Sequence, residues 1–326
     1  MPIAKGEAGL VNWTIPTTNW LHSVYMVSAS DGWAVGDYGT IVHWDGTEWS
    51  TVTSPTESEL HSVYMVSASD GWVVGIDGTI LHWDGTEWSS TTNPTTENLF
   101  SVFMTSASDG WAVGTGGAIV HWDGTEWGNF TTPTTMSLFS VSVAGADNGW
   151  AVGRSGTIIR WDGTEWSNAT SPTTAHLLSI FMISANDGWT VGSNGMILHW
   201  DGTEWSIVTS PTTNWLQSVY MVSSNDGWAV GTGGALIHWD GTEWSNFTSP
   251  AGDEVLDSVF MLSGSDGWAV GRNGAIIQRT GAIWVPEFST YTLLLLLISA
   301  TLVVVIQAKR LSKKAHMTID TRQSRL

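Results

Sequence analysis

Cysteine is absent from the 326 residues, which excludes disulfides, thiolate metal sites and cysteine nucleophiles. Basic residues are scarce, 11 Lys and Arg against 30 Asp and Glu. Neutralising a phosphate backbone needs many of them, so no nucleic-acid partner is expected. Charged residues of both signs reach only 13%, and a chain so rich in Trp and Val has apolar area enough to fold. A helical period of useful length is missing everywhere before residue 288. What abounds is 23 Trp and 36 Gly, a composition that points to a repetitive β protein with many tight turns rather than an enzyme.

Tryptophan sets the register. Trp33, Trp72, Trp111, Trp150, Trp189 and Trp228 stand 39 residues apart, and Trp268 follows after 40. The unit reads L-x-S-V-x-M-x-S-A-S-D-G-W-A-V-G-x-x-G-T-I-x-H-W-D-G-T-E-W-S-x-x-T-S-P-T-T, and seven copies fill residues 21–285. In the first copy four short strands are expected: Leu21–Ser28, apolar enough to be buried on both faces, then Trp33–Gly36, Thr40–Trp44 and Glu48–Thr53. Turns fall at Asp31-Gly32, where glycine would supply a positive φ, at Gly36–Gly39 and at Asp45-Gly46. Ser54-Pro55-Thr56 breaks the ladder before the next unit. A four-stranded sheet of about 40 residues, repeated, predicts a β-propeller whose Trp side chains fill the interfaces between blades. The expected class is therefore all-β, a seven-bladed propeller of four-stranded blades.

Residues 1–20 hold a partial repeat, since Trp13–Leu21 matches the end of a unit. It could close the ring as a strand of the last blade, yet unit seven has its own candidate outer strand at Ala282–Val285, and the sequence leaves both open.

The run from Asp31 to Trp49, D-G-W-A-V-G-x-x-G-T-I-x-H-W-D-G-T-E-W, resembles the repeats of the photosystem II assembly-factor family and, more broadly, surface propellers with BNR or Asp-box-like repeats. The resemblance covers all seven units. Two departures stand out: W-D-G-T-E-W is one residue shorter than an Asp-box, and the body lacks the basic binding surface of the photosystem family. Sialidases, which also use such propellers, require three clustered arginines. Here Arg154 and Arg272 share one turn position, and Arg160 and Arg279 are read as sharing one strand position.

The repeated Asp45, Asp84, Asp123, Asp162, Asp201 and Asp240 could offer oxygens to calcium, but a lone turn falls short of the six to eight that calcium takes. They are read as caps of backbone N–H groups. His43, His82, His121, His199 and His238 occupy one strand position on separate blades, so they are read as packing residues, and neither metal nor cofactor is expected.

Variation among the seven copies is confined to one end. The turn after W-A-V-G changes from blade to blade, and so does the connection before each first strand, whereas D-G-W and W-D-G-T-E-W scarcely change. Both variable segments lie at the same end of a four-stranded blade, where varied loops on a rigid scaffold can bind. The ligand-contact candidates are Trp20, Tyr38, Asp77, Arg154, Asn194, Trp215 and Arg272. No catalytic residue is assigned. N-x-S/T sequons make Asn12, Asn129, Asn168 and Asn246 glycosylation candidates.

Residues 286–308 contain the one long apolar stretch, 288–308. About 20 residues at about 1.5 Å each span a bilayer core of about 30 Å. Lys309, Arg310, Lys313 and Lys314 follow. Outside the tail the chain has only Lys5 and the four arginines named above against 28 acidic residues, Glu287 and Asp320 being the exceptions. The positive-inside rule then places residues 309–326 in the cytoplasm and the propeller outside, with 288–308 as a transmembrane helix. Pro286-Glu287-Phe288 followed by this span resembles an archaeal PEF-CTERM sorting signal, which implies removal of the segment and attachment to a lipid. No signal peptide is visible at Met1–Leu10, which suggests a truncated start or an unrecognised export route, and also argues for the opposite topology, a tail-anchored cytoplasmic propeller. The reading is a membrane-anchored surface propeller that binds a protein or glycan without catalysis. A glycan hydrolase and a structural surface-layer component are the alternatives.

Overall fold

The computed structural model describes residues 16–281 and 283–286, the last four by their backbone. Seven antiparallel four-stranded sheets follow one another along the chain, each with strands in sequence order. Blade one comprises β1 (Leu21–Ser28), β2 (Asp31–Gly36), β3 (Ile41–Trp44) and β4 (Trp49–Val52). The first strands of the following blades are Leu60–Ser67, Leu99–Ser106, Leu138–Gly145, Leu177–Ser184, Leu216–Ser223 and Leu256–Ser263. Among the described residues no helix is long and apolar enough to cross a membrane. The apolar segment 288–308, the basic tail and Asn12 lie outside the described residues.

Two local expectations are corrected. β1 is not buried on both faces: Leu21, Val24 and Met26 are buried, while His22, Ser23, Tyr25 and Val27 are half-buried. Tyr25 and Val27 nevertheless pack against the core shared with blade two. Asp31-Gly32 is not the hairpin turn, which falls on Ala29-Ser30; both residues belong to β2. Gly32 has no positive φ, and its missing Cβ leaves room for the Met26 side chain. The left-handed glycines are Gly39 (φ 66) and Gly46 (φ 90), in the other two turns.

The core lies between blades. Trp33 of blade one packs on Trp83 and Trp88 of blade two, with ring centroids 4.8 and 5.4 Å apart. Val35, Ile41, Leu60, Val63 and Met65 complete that interface. Because each sheet is apolar on both faces, no blade can bury itself, and the ring is the smallest arrangement that leaves none uncovered. Closure uses the same contacts: Trp268 of blade seven meets Trp44 at 4.9 Å and Trp49 at 5.4 Å.

The serine of L-x-S-V adds a second belt. The Val63 N–H donates to Ser23 Oγ at 3.2 Å, and the same bond joins every neighbouring pair. Val24 N–H to Ser258 Oγ, 3.2 Å, closes the belt across 234 residues. Blade seven takes its outermost strand from Ile283–Pro286, which pairs with Ile276–Thr280. The Ala282–Val285 candidate is thus realised, one residue shifted, and among the described residues every sheet is built from one contiguous stretch of chain. Residues 1–15 lie outside the described residues, and Pro16–Trp20 lead into β1.

The Asp turns cap backbone. Asp45 Oδ1 accepts from Thr47 N–H (2.7 Å), Thr47 Oγ1–H (2.6 Å) and Glu48 N–H (2.9 Å). These bonds, the Thr47 hydroxyl foremost, hold the carboxyl down at about 2. The five other turns repeat the geometry and the shift. A carboxyl whose folded pKa is depressed stabilises the fold above its unfolded pKa, near 4, and loses that contribution as pH falls through its folded value. The thermal midpoint is therefore expected to drop between about pH 4 and pH 2, and Asp→Asn at several of these turns should flatten the drop. A loss that begins above about pH 5 would assign acid lability to other groups.

Candidate ligand-binding face

The uniform end carries Asp–His pairs. His43 Nε2 lies 2.8 Å from Asp31 Oδ1, with its ring 4.3 Å from Trp33, and the pair recurs in five blades. Blade four has Asn148 and Arg160 there, with Arg160 lying over Trp150 at 5.4 Å. Blade seven has Asp266 and Gln278, and burial raises the Asp266 carboxyl. Arg279 is not the counterpart of Arg160. It stands where other blades have Trp44, stacks on Trp228 at 4.4 Å and donates from Nε to the Gly264 carbonyl at 2.9 Å, as Trp44 Nε1 does to Ala29 at 3.0 Å. Two of the four described arginines are thus structural, and Arg154 and Arg272 sit on different blades. A three-arginine carboxylate site is absent among the described residues.

At the opposite end the turn after the second strand and the inter-blade connection meet as expected. Asp37 N–H donates to the Trp20 carbonyl at 3.0 Å, and the equivalent bond recurs in the other blades, ending with Arg272 N–H to Val255 at 3.0 Å. Five of the seven candidate residues fall into two positions of this turn, and Trp20 and Trp215 lie in the connection it meets. Tyr38, Asp77 and Asn194 occupy its left-handed tip (φ 55, 55 and 57) and point outward. Tyr38 is 76% exposed. Arg154 and Arg272 sit one residue earlier; Arg154 is exposed and Arg272 half-buried.

The structure brings two pairs of candidates together. The Arg272 guanidinium lies 4.3 Å above the Trp20 ring, joining blades seven and one. Asn194 and Trp215 line one cleft of about 390 Å³ with His176 and Ser193, between blades five and six. Trp20 and Trp215 remain 38% and 43% exposed, unlike the buried blade tryptophans. Tyr38, Asp77 and Arg154 stand on their own blades. Asn129, Asn168 and Asn246 are exposed on outermost strands, but each amide donates to a proline carbonyl of the preceding connection, Asn129 to Pro94 at 2.8 Å.

Sequence reasoning missed the residue after the first-strand leucine. Its variation among blades was the available signal: His22, His61, Phe100, Phe139, Leu178, Gln217 and Asp257. An arc of rings results, His22 to His61 (5.8 Å), His61 to Phe100 (5.1 Å) and Phe100 to Phe139 (5.6 Å). Next to it lies a charged knot. His22 contacts Asp37 (2.7 Å) and Glu59 (3.3 Å), and His61 contacts Glu59 (3.0 Å). Burial pushes the Asp257 carboxyl up to about 6, against the pull of His22 and Arg272. Farther down the axis a second belt, Tyr25, Tyr64, Phe103, Phe181, Tyr220 and Phe260, is interrupted by Ser142. Burial raises the Tyr220 phenol to about 12.

No family model matches the chain, and no curated protein matches it. Solved structures do. YCF48 bound to a D1 peptide superposes with a TM-score of 0.69 at 19% identity, over 82% of this chain and 93% of that one. YCF48 from Cyanidioschyzon merolae gives 0.67 at 19% identity, over 81% and 97%. The WD40 β-propeller domain of Doa1 gives 0.65 at 14% identity, over 80% and 92%. At these identities the likeness is one of fold: a seven-bladed propeller.

Proposed function

We propose that this propeller is a non-catalytic protein-interaction module whose variable end binds an extended peptide segment. One observation carries the reading. Seven nearly identical blades differ chiefly at one end, and that end exposes Trp20, Tyr38 and Trp215, with the Arg272 guanidinium over Trp20. Aromatic and arginine side chains dominate the energetics of protein interfaces. YCF48, a propeller of this fold, is bound to a D1 peptide in its solved structure, and the resemblance of the repeats to photosystem II assembly factors agrees with a peptide partner. The same tryptophans suit a glycan, which is the second reading. In this proposal residues 288–308 hold the domain at a membrane with the propeller outside the cytoplasm; protease added to intact cells should then remove it, and removal only after lysis would reverse the topology.

The test is a displayed peptide library and a glycan array probed with the same protein. Enriched peptides are expected, and Trp20→Ala with Trp215→Ala should weaken them at least about tenfold, each interface Trp contributing roughly 1–2 kcal/mol, at unchanged thermal midpoint. Retention of glycans alone would favour the glycan reading. Binding of neither class would leave the structural surface-layer role.

A further inference from the structure

We propose that the variable end holds one divalent transition-metal ion of the zinc class, bound by His22, Asp37 and Glu59 where blades one and two meet. The three ligand atoms lie within 4.8 Å of one another. They come from three segments: β1, the turn after β2, and the connection into blade two. Ligand atoms on a tetrahedral zinc ion stand about 3.3 Å apart, given bonds of about 2.0–2.1 Å. His22 Nε2 and Glu59 Oε1 are already 3.3 Å apart. Asp37 Oδ1, at 2.7 Å from His22 Nε2, would withdraw by roughly 0.6 Å, and the Asp37 and Glu59 oxygens, within 4.8 Å of one another, would settle at the same spacing.

The surroundings give a second argument. Glu59 Oε1 lies between two imidazoles, 3.3 Å from His22 Nε2 and 3.0 Å from His61 Nε2. His22 Nε2 in turn faces two carboxylate oxygens, Asp37 at 2.7 Å and Glu59 at 3.3 Å. Asp257 adds a third carboxyl to the knot, and Arg272 is the fixed cation beside it. A divalent ion on His22, Asp37 and Glu59 supplies positive charge at the point where the carboxylates converge.

The donor set chooses the class of ion. One imidazole nitrogen with two carboxylate oxygens suits zinc, whereas calcium and magnesium take oxygen-rich shells. Three protein ligands leave a fourth position for water or an incoming carboxylate. Among the described residues no other blade gathers such a set, so the site belongs to this junction and not to the repeat. The proposal goes beyond peptide binding and does not depend on it.

The tag-free full chain, stripped with EDTA and dialysed, should be titrated with zinc chloride by calorimetry at pH 7.5, with calcium chloride as comparator. The expected result is saturation at one zinc per chain, a thermal midpoint several degrees higher in excess zinc, and at least tenfold weaker binding in Glu59→Gln and in His22→Ala. Glu59 is 41% exposed, so its amide variant keeps the fold. His43→Ala, at the other end of the blade, should bind as the parent does. No saturable heat with zinc, unchanged affinity in both knot variants, or equal affinity for calcium would overturn the proposal.

Discussion

Replacing Trp268 by alanine should cost about 3–5 kcal/mol of stability, the usual range for emptying a buried tryptophan site. Its side chain is 0% exposed, and it is the only tryptophan of blade seven that reaches across to Trp44 and Trp49 of blade one among the described contacts. Loss of the ring opens a cavity at the one junction no peptide bond spans. The other six junctions are tethered by a connecting segment, so a weakened contact there is held at high local concentration. Denaturant titration of Trp268→Ala beside Trp111→Ala separates the two cases. Trp111 makes the equivalent contacts with Trp161 and Trp166, at 4.8 and 5.4 Å. Both variants should be destabilised, and Trp268→Ala should also expose the seam to proteolysis. A loss under about 1 kcal/mol would mean that the seam contributes little.

Deleting one whole unit, residues 99–137, should have a still larger effect. Seven blades divide the circle at about 51° each, and six would need about 60°. The interfaces are close-packed Trp, Val and Ile, which do not deform continuously. A shortened chain can keep its blade angles and leave the ring open, or close and strain every interface. The open form exposes the apolar face of a terminal blade and is expected to self-associate. Size-exclusion chromatography with light scattering should show oligomers or aggregate, and the thermal transition should broaden and fall. A monomer with the parental midpoint would show that the interfaces tolerate the wider angle.

Much of this was legible without coordinates. The 39-residue tryptophan spacing announced one blade per unit, and the periodicity placed β1 at its observed limits and the other strands within two residues. The Asp of W-D-G-T-E-W was readable as a cap because Thr and Glu stand two and three residues on, where a carboxylate reaches both N–H groups. The grouping of variable segments at one end followed from the meander order alone. These are local properties: strand alternation, turn chemistry and capping act over a few residues, and seven copies average out the noise in any one of them.

Tertiary structure decided what depends on two blades at once. Gly32 looked like a turn residue, yet its role is to make room for Met26 on the neighbouring strand. Arg279 was aligned with Arg160, but it stands eleven residues after Trp268, where Arg160 stands ten after Trp150, and so it takes the position of Trp44 and lies over Trp228 of blade six. The serine of L-x-S-V carries no sign of its partner in the sequence, because that partner is a backbone N–H about forty residues on, or 234 residues away at the seam. The knot of His22, Asp37, Glu59 and Asp257 draws on blades seven, one and two. Each residue is ordinary in its own unit. Asp257 reaches the other three only because ring closure brings the first and last blades together, and a closure contact is fixed by the summed angles of all seven interfaces, which no single stretch of sequence encodes.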